Sequence, residues 1–318
     1  MSRKNKLVNK VKRLIRRLGM PRWLHRYGPK TYEFYEHLSA LMVRFFCRLS
    51  FRRVKQILDL LGIRCPSKSA LHYTSKKLDQ GFWSRVLKVT CGSSYLIAID
   101  STGLSRTNSS YHYLRRIDGK MPKVPVKLSI AFDTRKKKFA AAKIRVLPAH
   151  DIQDATFLIK KSSPKLIVAD RAYDASWLHS LCSQQGAKAH IPMRNYGNSK
   201  ARMWSPRRLA QKHFNKRTYH RRELAESGNS SLKRKMGSSV SSRTVRTIHT
   251  EVYGRLACHN IFSYLREWAN TVDFILSFAQ GVQNYVLKCP QMKPLLSSLK
   301  TELAIPCTLQ AVRQLLIL

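Results

Sequence analysis

Acidic residues are scarce in this 318-residue chain: 17 Asp and Glu stand against 60 Lys and Arg, which gives a formal net charge of +43. No packing requirement explains this imbalance, and a chain so charged repels itself unless it meets a polyanion. Nucleic acid is the default polyanion, because each phosphate contact releases counterions and so rewards basic surface. The scarcity of acid therefore predicts a nucleic-acid partner.

The chain also lacks long hydrophobic runs and paired cysteines. It contains no run of about 18 consecutive apolar residues that could span a bilayer, and its N-terminal stretch lacks the continuous apolar core of a secretory signal. The seven cysteines include no CxxC pair, which indicates neither a disulfide framework nor a four-ligand zinc site. These absences predict a cytoplasmic protein with reduced thiols and no membrane partner. The basic, acid-poor start leaves an organelle presequence as the alternative.

Apolar residues recur at helical spacing through much of the first 90 residues, which predicts an all-helical N-terminal region. Within it, residues 50–80 resemble a helix-turn-helix, because Ser50 can cap one helix, Gly62 can end it and Ser67 can begin a second. Two short helices around a glycine also occur in helical bundles that bind no DNA, and the pattern does not separate these cases. The exposed positions of the second helix, which could face a major groove, would be Lys68, His72 and Lys76.

From about residue 94, short apolar or alternating runs replace the helical pattern. With helices between the later runs and after them, the predicted fold class is α/β, a mixed sheet flanked by helices. We expect a helical DNA-binding region over 1–90, a sheet-containing domain over 91–268, and a tail over 269–318 with no readable chemistry. The predicted strands are Leu96–Asp100, Val126–Asp133, Phe139–Leu147, Leu166–Ala169 and Ala187–Ile191.

Two of these apolar runs end in aspartate, at Asp100 and Asp170. Taken singly, an aspartate in this position often only opens a turn or caps a helix. Both acids would nevertheless stand at the carboxyl ends of buried strands, where α/β sheets place their ligands. A third acid lies on a later predicted helix, where spacings of three, four and seven put four side chains on one face, those of Tyr219, Arg222, Glu226 and Lys233.

Three carboxylates brought close together repel one another unless a cation intervenes. Mg²⁺ and Mn²⁺ prefer oxygen ligands, and two such ions about 4 Å apart can activate a nucleophile and stabilise a leaving oxygen in phosphoryl transfer. We therefore assign Asp100 as the bridging ligand, Asp170 to one ion and Glu226 to the other. Glu223 and Glu251 are nearby acids that rank below Glu226. The residues that could hold DNA beside the ions are Tyr219, Arg222 and Lys233.

The alternative interpretation of that helix is a plain i, i+4 surface ion pair between Arg222 and Glu226. It accounts for only two of the four residues. The segment directly after Glu226, Ser227–Ser231, is also a poor helix sequence, because its glycine alone costs about 1 kcal/mol relative to alanine. Fraying there would take Lys233 off the shared face.

The spacing resembles that of the DDE transposases of prokaryotic insertion sequences, in the insertion-sequence four/five-like group marked by Y-x2-R-x3-E-x6-K. Every spacing of that motif is kept from Tyr219 to Lys233. The segments Ile99-Asp100-Ser101-Thr102-Gly103 and Ala169-Asp170-Arg171-Ala172-Tyr173-Asp174 are similar to the family's two aspartate segments. The resemblance covers about residues 50–265.

This resemblance implies an RNase H-like catalytic core with two Mg²⁺ or Mn²⁺ ions, acting in a prokaryotic cytoplasm near the nucleoid. It implies cleavage at the terminal inverted repeats of a DNA element and transfer of the freed 3′-OH into target DNA. Pairing of two ends implies a homodimer in the synaptic complex. The rival hypotheses are a non-catalytic or decayed DNA-binding protein and a related metal-dependent DNA nuclease.

Overall fold

The computed structural model describes residues 6–25, 27, 30–106, 125–194 and 205–262. The chain divides into two compact units, Met1–Ser263 and Tyr264–Leu318. The second unit, which contains the predicted tail over 269–318, lies outside the described residues.

Helices fill the first part of the described chain, and strands alternate with helices in the second part. Short 3₁₀ helices lie at Asp151–Asp154, Arg171–Tyr173 and His220–Arg222. The α-helices are α1 (Lys6–Arg17), α2 (Phe34–Cys47), α3 (Phe51–Leu60), α4 (Lys68–Lys77), α5 (Gln80–Cys91), α6 (Ala155–Ser162), α7 (Ser176–Gln184), α8 (Pro206–Lys212), α9 (Lys216–Tyr219), α10 (Glu223–Met236) and α11 (Val245–Phe262). The strands are β1 (Leu96–Arg106), β2 (Val126–Asp133), β3 (Lys138–Arg145), β4 (Leu166–Ala169), β5 (Lys188–His190) and β6 (Ser239–Val240).

The strands form a mixed sheet in the order β3-β2-β1-β4-β5, and β6 pairs with the far end of β1. β1, β2 and β3 are antiparallel neighbours, whereas β4 runs parallel to β1 and β5 runs parallel to β4. This confirms the predicted mixed α/β sheet. Parallel strands need helical crossovers, and α6 and α7 provide them.

Helices cover both faces of the sheet. On one face α6 and α7 pack against β1 and β4, through a core that includes Ile97, Ile99, Leu158 and Leu178. On the other face α10 lies on β1 and β2, and α11 lies on β3, α5 and α2. Almost every residue of α11 is buried, so this helix connects the N-terminal helices to the sheet.

Two capped helices form within the residues predicted as a helix-turn-helix. The Ser50 Oγ accepts a hydrogen bond from the Arg53 N–H at 3.2 Å, and the Ser67 Oγ accepts one from the Ala70 N–H at 3.2 Å. Gly62 lies between the helices with φ of 66°, a left-handed conformation that glycine adopts without strain. α2, α3 and α4 share a small core of Ala40, Val54, Leu58, Cys65 and Leu71.

β1 differs from its prediction, because it continues beyond Asp100 to Arg106. Its parallel pairing with β4 ends at Ile99 and Ala169, but its antiparallel pairing with β2 continues to Leu104. The Ser-Thr-Gly segment after Asp100, for which a turn was the alternative interpretation, is thus held extended by β2. Among the described residues, no helix combines the length and apolar character needed to cross a membrane.

Candidate active site

The sheet register places Asp100 and Asp170 beside each other. Ile99 of β1 pairs with Ala169 of β4 in the parallel ladder, and each aspartate is the next residue along its chain. Neighbouring strands lie about 4.8 Å apart. The two acids therefore lie beside each other where the parallel ladder of β1 and β4 ends, with Asp170 directly after β4 and Asp100 inside β1.

Asp100 is half-buried and is held by hydrogen bonds. Its Oδ2 accepts a bond from the Asn229 Nδ2 at 2.9 Å, across 129 residues of sequence. Burial raises the pKa of Asp100 above its ordinary value, and the charge of Glu226 adds to that rise. The N–H of Ser101 and the Asn229 amide act in the opposite direction, because both donate to the ionised carboxylate.

Asp170 is exposed and begins a 3₁₀ helix. Its Oδ1 accepts a hydrogen bond from the Arg171 N–H at 2.7 Å. The capping role that its sequence context indicated is therefore present. This hydrogen bond leaves the second carboxylate oxygen of Asp170 available at the solvent-exposed carboxyl end of β4.

Glu226 meets Arg222 on the helical segment that follows. The Arg222 Nη1 lies 2.5 Å from the Glu226 Oε1, with 22% of the arginine side chain and 52% of the glutamate side chain exposed. Burial acts to lower the pKa of Arg222, but Glu226 and then Asp170 outweigh it and raise that pKa. The i, i+4 ion pair is thus observed, and Arg222 lies within electrostatic reach of all three acids.

The predicted single helix from Tyr219 to Lys233 is interrupted. α9 ends at Tyr219, a 3₁₀ turn spans His220–Arg222, and α10 begins at Glu223. Residues three apart stack above one another in a 3₁₀ turn, so Tyr219 and Arg222 stay aligned across it. The ring of Tyr219 also packs at a tilt against Phe214, with 5.5 Å between the ring centroids.

The helix does not fray after Glu226, since α10 is continuous through its Gly and Ser residues. Glu226 and Lys233 therefore remain two turns apart on one helix. Burial overrides the weak propensity of this segment, and the acids in the first turn and lysines in the last turn suit the helix dipole. The buried face of α10 consists of Ala225, Gly228, Asn229, Leu232 and Met236.

A chain of hydrogen bonds connects the two aspartate segments on the opposite face of the sheet. The Ser101 Oγ lies 3.1 Å from the Tyr173 Oη and donates to the Ser129 Oγ at 3.0 Å. The Ser129 Oγ donates in turn to the Asp154 Oδ2 at 2.8 Å, and Arg145 donates to the other oxygen of Asp154. Tyr173 follows Asp170 by three residues, so this series of hydrogen bonds connects the segments that carry Asp100 and Asp170.

The residues predicted on α4 lie on its outer face. Leu71, Thr74 and Ser75 are buried, and the Thr74 Oγ1 lies 2.8 Å from the His37 Nδ1. These contacts anchor the inner side of the helix. The predicted positions on the exposed side are Lys68, His72 and Lys76.

The donor atoms at this edge suit a hard cation, since the three acids offer carboxylate oxygens of the kind that Mg²⁺ and Mn²⁺ bind. The three carboxylates are not brought together as tightly as the sequence predicted. Within the part of the chain that the structure describes, no three His, Cys, Asp or Glu side chains form a group able to hold a metal ion as placed. The physical reason is the ion pair with Arg222, toward which the carboxylate of Glu226 is directed.

Sequence reasoning missed Asn229, Tyr173 and Ser101. Asn229 belongs to the run of weak helix formers after Glu226, and its spacing of three residues from Glu226 indicates only a neighbouring place on the helix, not a contact with Asp100. Tyr173 and Ser101 each lie close to a predicted acid, which is the only sequence signal that could have indicated them.

The fold and site together define a mixed α/β protein with two acids where the ladder between its central parallel strands ends. The model of the family described as "Transposase DDE domain" matches residues 92–261, more than half of the chain. The chain therefore belongs to the DDE-domain transposases, a family of metal-dependent enzymes that act in DNA transposition.

Comparison with solved structures gives a distant likeness. The cryo-EM structure of a piggyBac transposase synaptic complex with hairpin DNA aligns at a TM-score of 0.37 and 12% identity, covering 92% of this chain and 81% of the other. A likeness of this size supports no inference about mechanism. No curated protein sequence matches this one.

Proposed function

We propose that this protein cleaves DNA at the ends of an insertion-sequence-like element and joins the freed 3′-OH to target DNA. Asp100, Asp170 and Glu226 are its catalytic residues, and the sheet that carries the two aspartates is part of an RNase H-like core. The single observation that carries the proposal is the register of β1 and β4, which brings two acids distant in sequence side by side where their parallel ladder ends.

The three acids would hold two Mg²⁺ or Mn²⁺ ions, with Asp100 shared between them. Such ions, when bound, stabilise the charge on the attacking and leaving oxygens of a phosphodiester. Glu226 would have to leave Arg222 to take part. The freed guanidinium would then be available to a DNA phosphate, because arginine matches phosphate with two parallel hydrogen bonds.

Tyr219 and Lys233 flank Arg222 and Glu226 and complete the proposed strand-binding surface. Lys233 supplies a positive charge two turns beyond Glu226, and Tyr219 supplies a ring and a hydroxyl one 3₁₀ turn before Arg222. A group of exposed basic residues, close in sequence to Tyr219 and Arg222, supports the proposal. It is formed by exposed residues of α8, α9 and the turn after them: Arg208, Lys212, Lys216, Arg217 and Arg221.

The test uses the full chain, Mn²⁺ and a labelled DNA fragment carrying the inverted repeats that flank its reading frame. Asp100→Asn, Asp170→Asn and Glu226→Gln should each abolish nicking while DNA binding persists. Glu223→Gln is the matched control, because Glu223 is an exposed acid three residues before Glu226 that faces His220 instead. Cleavage by the Glu226→Gln protein would remove Glu226 from the site.

Joining of the cut end to a target plasmid separates a transposase from a nuclease. A nuclease would release the end without joining it, and a decayed DNA-binding protein would do neither. Transfer of the labelled 3′ end into the plasmid is the expected result, and its absence despite efficient nicking would favour the nuclease hypothesis.

We further propose that α4 contacts the element end through Lys68, His72 and Lys76. Lys68→Ala and Lys76→Ala should each weaken binding and reduce the slope of log affinity against log salt by about 1. Lys160→Ala, at an exposed position on α6, is the matched control and should leave the slope unchanged. Equal slopes for all three variants would exclude α4 as a phosphate-contacting helix.

A further inference from the structure

Asn229 occupies an unusual position for an asparagine inside a helix. It lies on α10 one turn after Glu226, with only 5% of its surface exposed. Asparagine is unfavourable inside helices because its side-chain amide competes for the hydrogen bonds of backbone groups. Here the amide instead reaches the neighbouring strand, and its Nδ2 donates to the Asp100 Oδ2 at 2.9 Å.

The other end of the same amide has no partner. Among the described residues, the Asn229 Oδ1 is buried and accepts no hydrogen bond. A buried acceptor without a partner costs roughly 1–3 kcal/mol of stability. An apolar side chain of similar size would avoid that cost but would also remove the donor to Asp100, so the two effects on stability largely cancel.

The packing of α10 is arranged so that this bond can form. A Cβ built on Gly228 would come within 2.7 Å of the Cε2 of Phe132 on β2. Only glycine lets the helix approach the sheet this closely. The close approach brings the Asn229 amide within hydrogen-bonding distance of the Asp100 carboxylate.

The chemistry of the donor also matters. The Asn229 amide donates to the Asp100 carboxylate at 2.9 Å, which restricts the rotation of that carboxylate. A lysine or arginine at position 229 could also donate, but its charge would compete with a metal ion for the same oxygens. A neutral amide orients the carboxylate without that competition.

We propose that Asn229 is a positioning residue, which orients the carboxylate of Asp100 for metal binding. The inference rests on the proposed function, in which Asp100 is the ligand shared by two ions. Asn229 itself touches neither DNA nor a reacting atom in this role. It acts through Asp100, as hydrogen-bond partners of metal ligands generally do.

The test measures Mn²⁺ binding by titration calorimetry and thermal unfolding without metal, both on the full chain and without DNA. Asn229→Leu keeps roughly the same volume and removes both polar ends. We expect it to weaken Mn²⁺ binding about 10–100-fold, in line with other partners of metal ligands. We expect the melting temperature to change little, because the removal of the unpaired Oδ1 offsets the loss of the bond to Asp100.

Asn260→Leu is the matched control. Asn260 is a buried asparagine of α11 whose amide bonds both the N–H and the C=O of Phe139, each at 2.8 Å. Its replacement should lower the melting temperature and leave the Mn²⁺ affinity of the folded protein unchanged. The two asparagines should therefore show opposite patterns.

The outcomes separate this inference from the proposed function. If Asp100→Asn abolishes Mn²⁺ binding while Asn229→Leu binds as the wild type does, the positioning role is overturned and the metal site stands. If Asn229→Leu loses as much thermal stability as Asn260→Leu, the role of Asn229 is structural and the inference is again overturned. If Asp100→Asn binds Mn²⁺ as tightly as the wild type, the proposed metal site itself fails, and the inference fails with it.

Discussion

Gly228→Ala is the change whose sign best tests how α10 is held against the sheet. Helix propensity alone predicts stabilisation of about 1 kcal/mol, because alanine replaces glycine within a helix. The structure predicts the reverse. The new methyl would lie 2.7 Å from the Cε2 and 2.9 Å from the Cζ of Phe132, where ordinary contact begins near 3.4 Å.

The expected magnitude follows from that overlap. Phe132 is 3% exposed and packs edge-on against Phe139 at 5.1 Å between centroids, so its ring has little room to move. Overpacking of this kind costs about 1–3 kcal/mol. After the propensity gain is subtracted, we expect a net loss of about 1 kcal/mol.

The same overlap should affect the site. If α10 moves outward by about 0.7 Å to make room, the bond from Asn229 to Asp100 lengthens from 2.9 Å to about 3.6 Å, which is too long for a hydrogen bond. Gly228→Ala should therefore weaken Mn²⁺ binding as well as stability. Urea unfolding followed by circular dichroism measures the stability change, and calorimetry measures the Mn²⁺ affinity.

Two further variants make the test decisive. Ser230→Ala, at an exposed position on the same helix, should be neutral or slightly stabilising because only propensity changes there. In a Phe132→Leu background, Gly228→Ala should no longer destabilise, giving a coupling energy of about 1–3 kcal/mol between the two sites. A Gly228→Ala protein more stable than the wild type would refute the steric argument.

Three more predictions concern the core. Tyr173→Phe removes the hydroxyl facing Ser101 and should lower the free energy of unfolding in urea by about 1 kcal/mol. An unchanged free energy would show that this hydrogen bond does not hold the two aspartate segments together. Gly254→Ala, whose Cβ would lie 2.2 Å from the Phe45 ring, should lower the melting temperature more than Gly228→Ala, and a smaller decrease would contradict the packing of α11 on α2. Burial and then Lys235 lower the pKa of His259 to about 4, from about 6.5 in the unfolded state. Between these pH values the unfolded state binds a proton that the folded state does not bind, so the free energy of unfolding falls as the pH drops through that window. His259→Phe should reduce that slope in melting-temperature scans, and an unchanged slope would exclude His259 as a contributor.

The sequence alone determined most of the secondary structure and the positions of the candidate acids. Caps at Ser50 and Ser67, the glycine between their helices and the apolar runs before Asp100 and Asp170 are local signals. They act over a few residues, so they can be read without knowing the fold. Composition predicted a nucleic-acid partner for the same reason, since net charge does not depend on the fold.

Only the tertiary structure decided how these pieces work together. β2 keeps the segment after Asp100 extended, and close packing on Phe132 keeps the Gly and Ser residues of α10 helical against their propensity. The partner of Asp100 proved to be Asn229, which no local pattern indicates because the two residues are 129 positions apart. Propensity and spacing act along the chain, whereas steric fit and burial act between parts of it that meet only after folding.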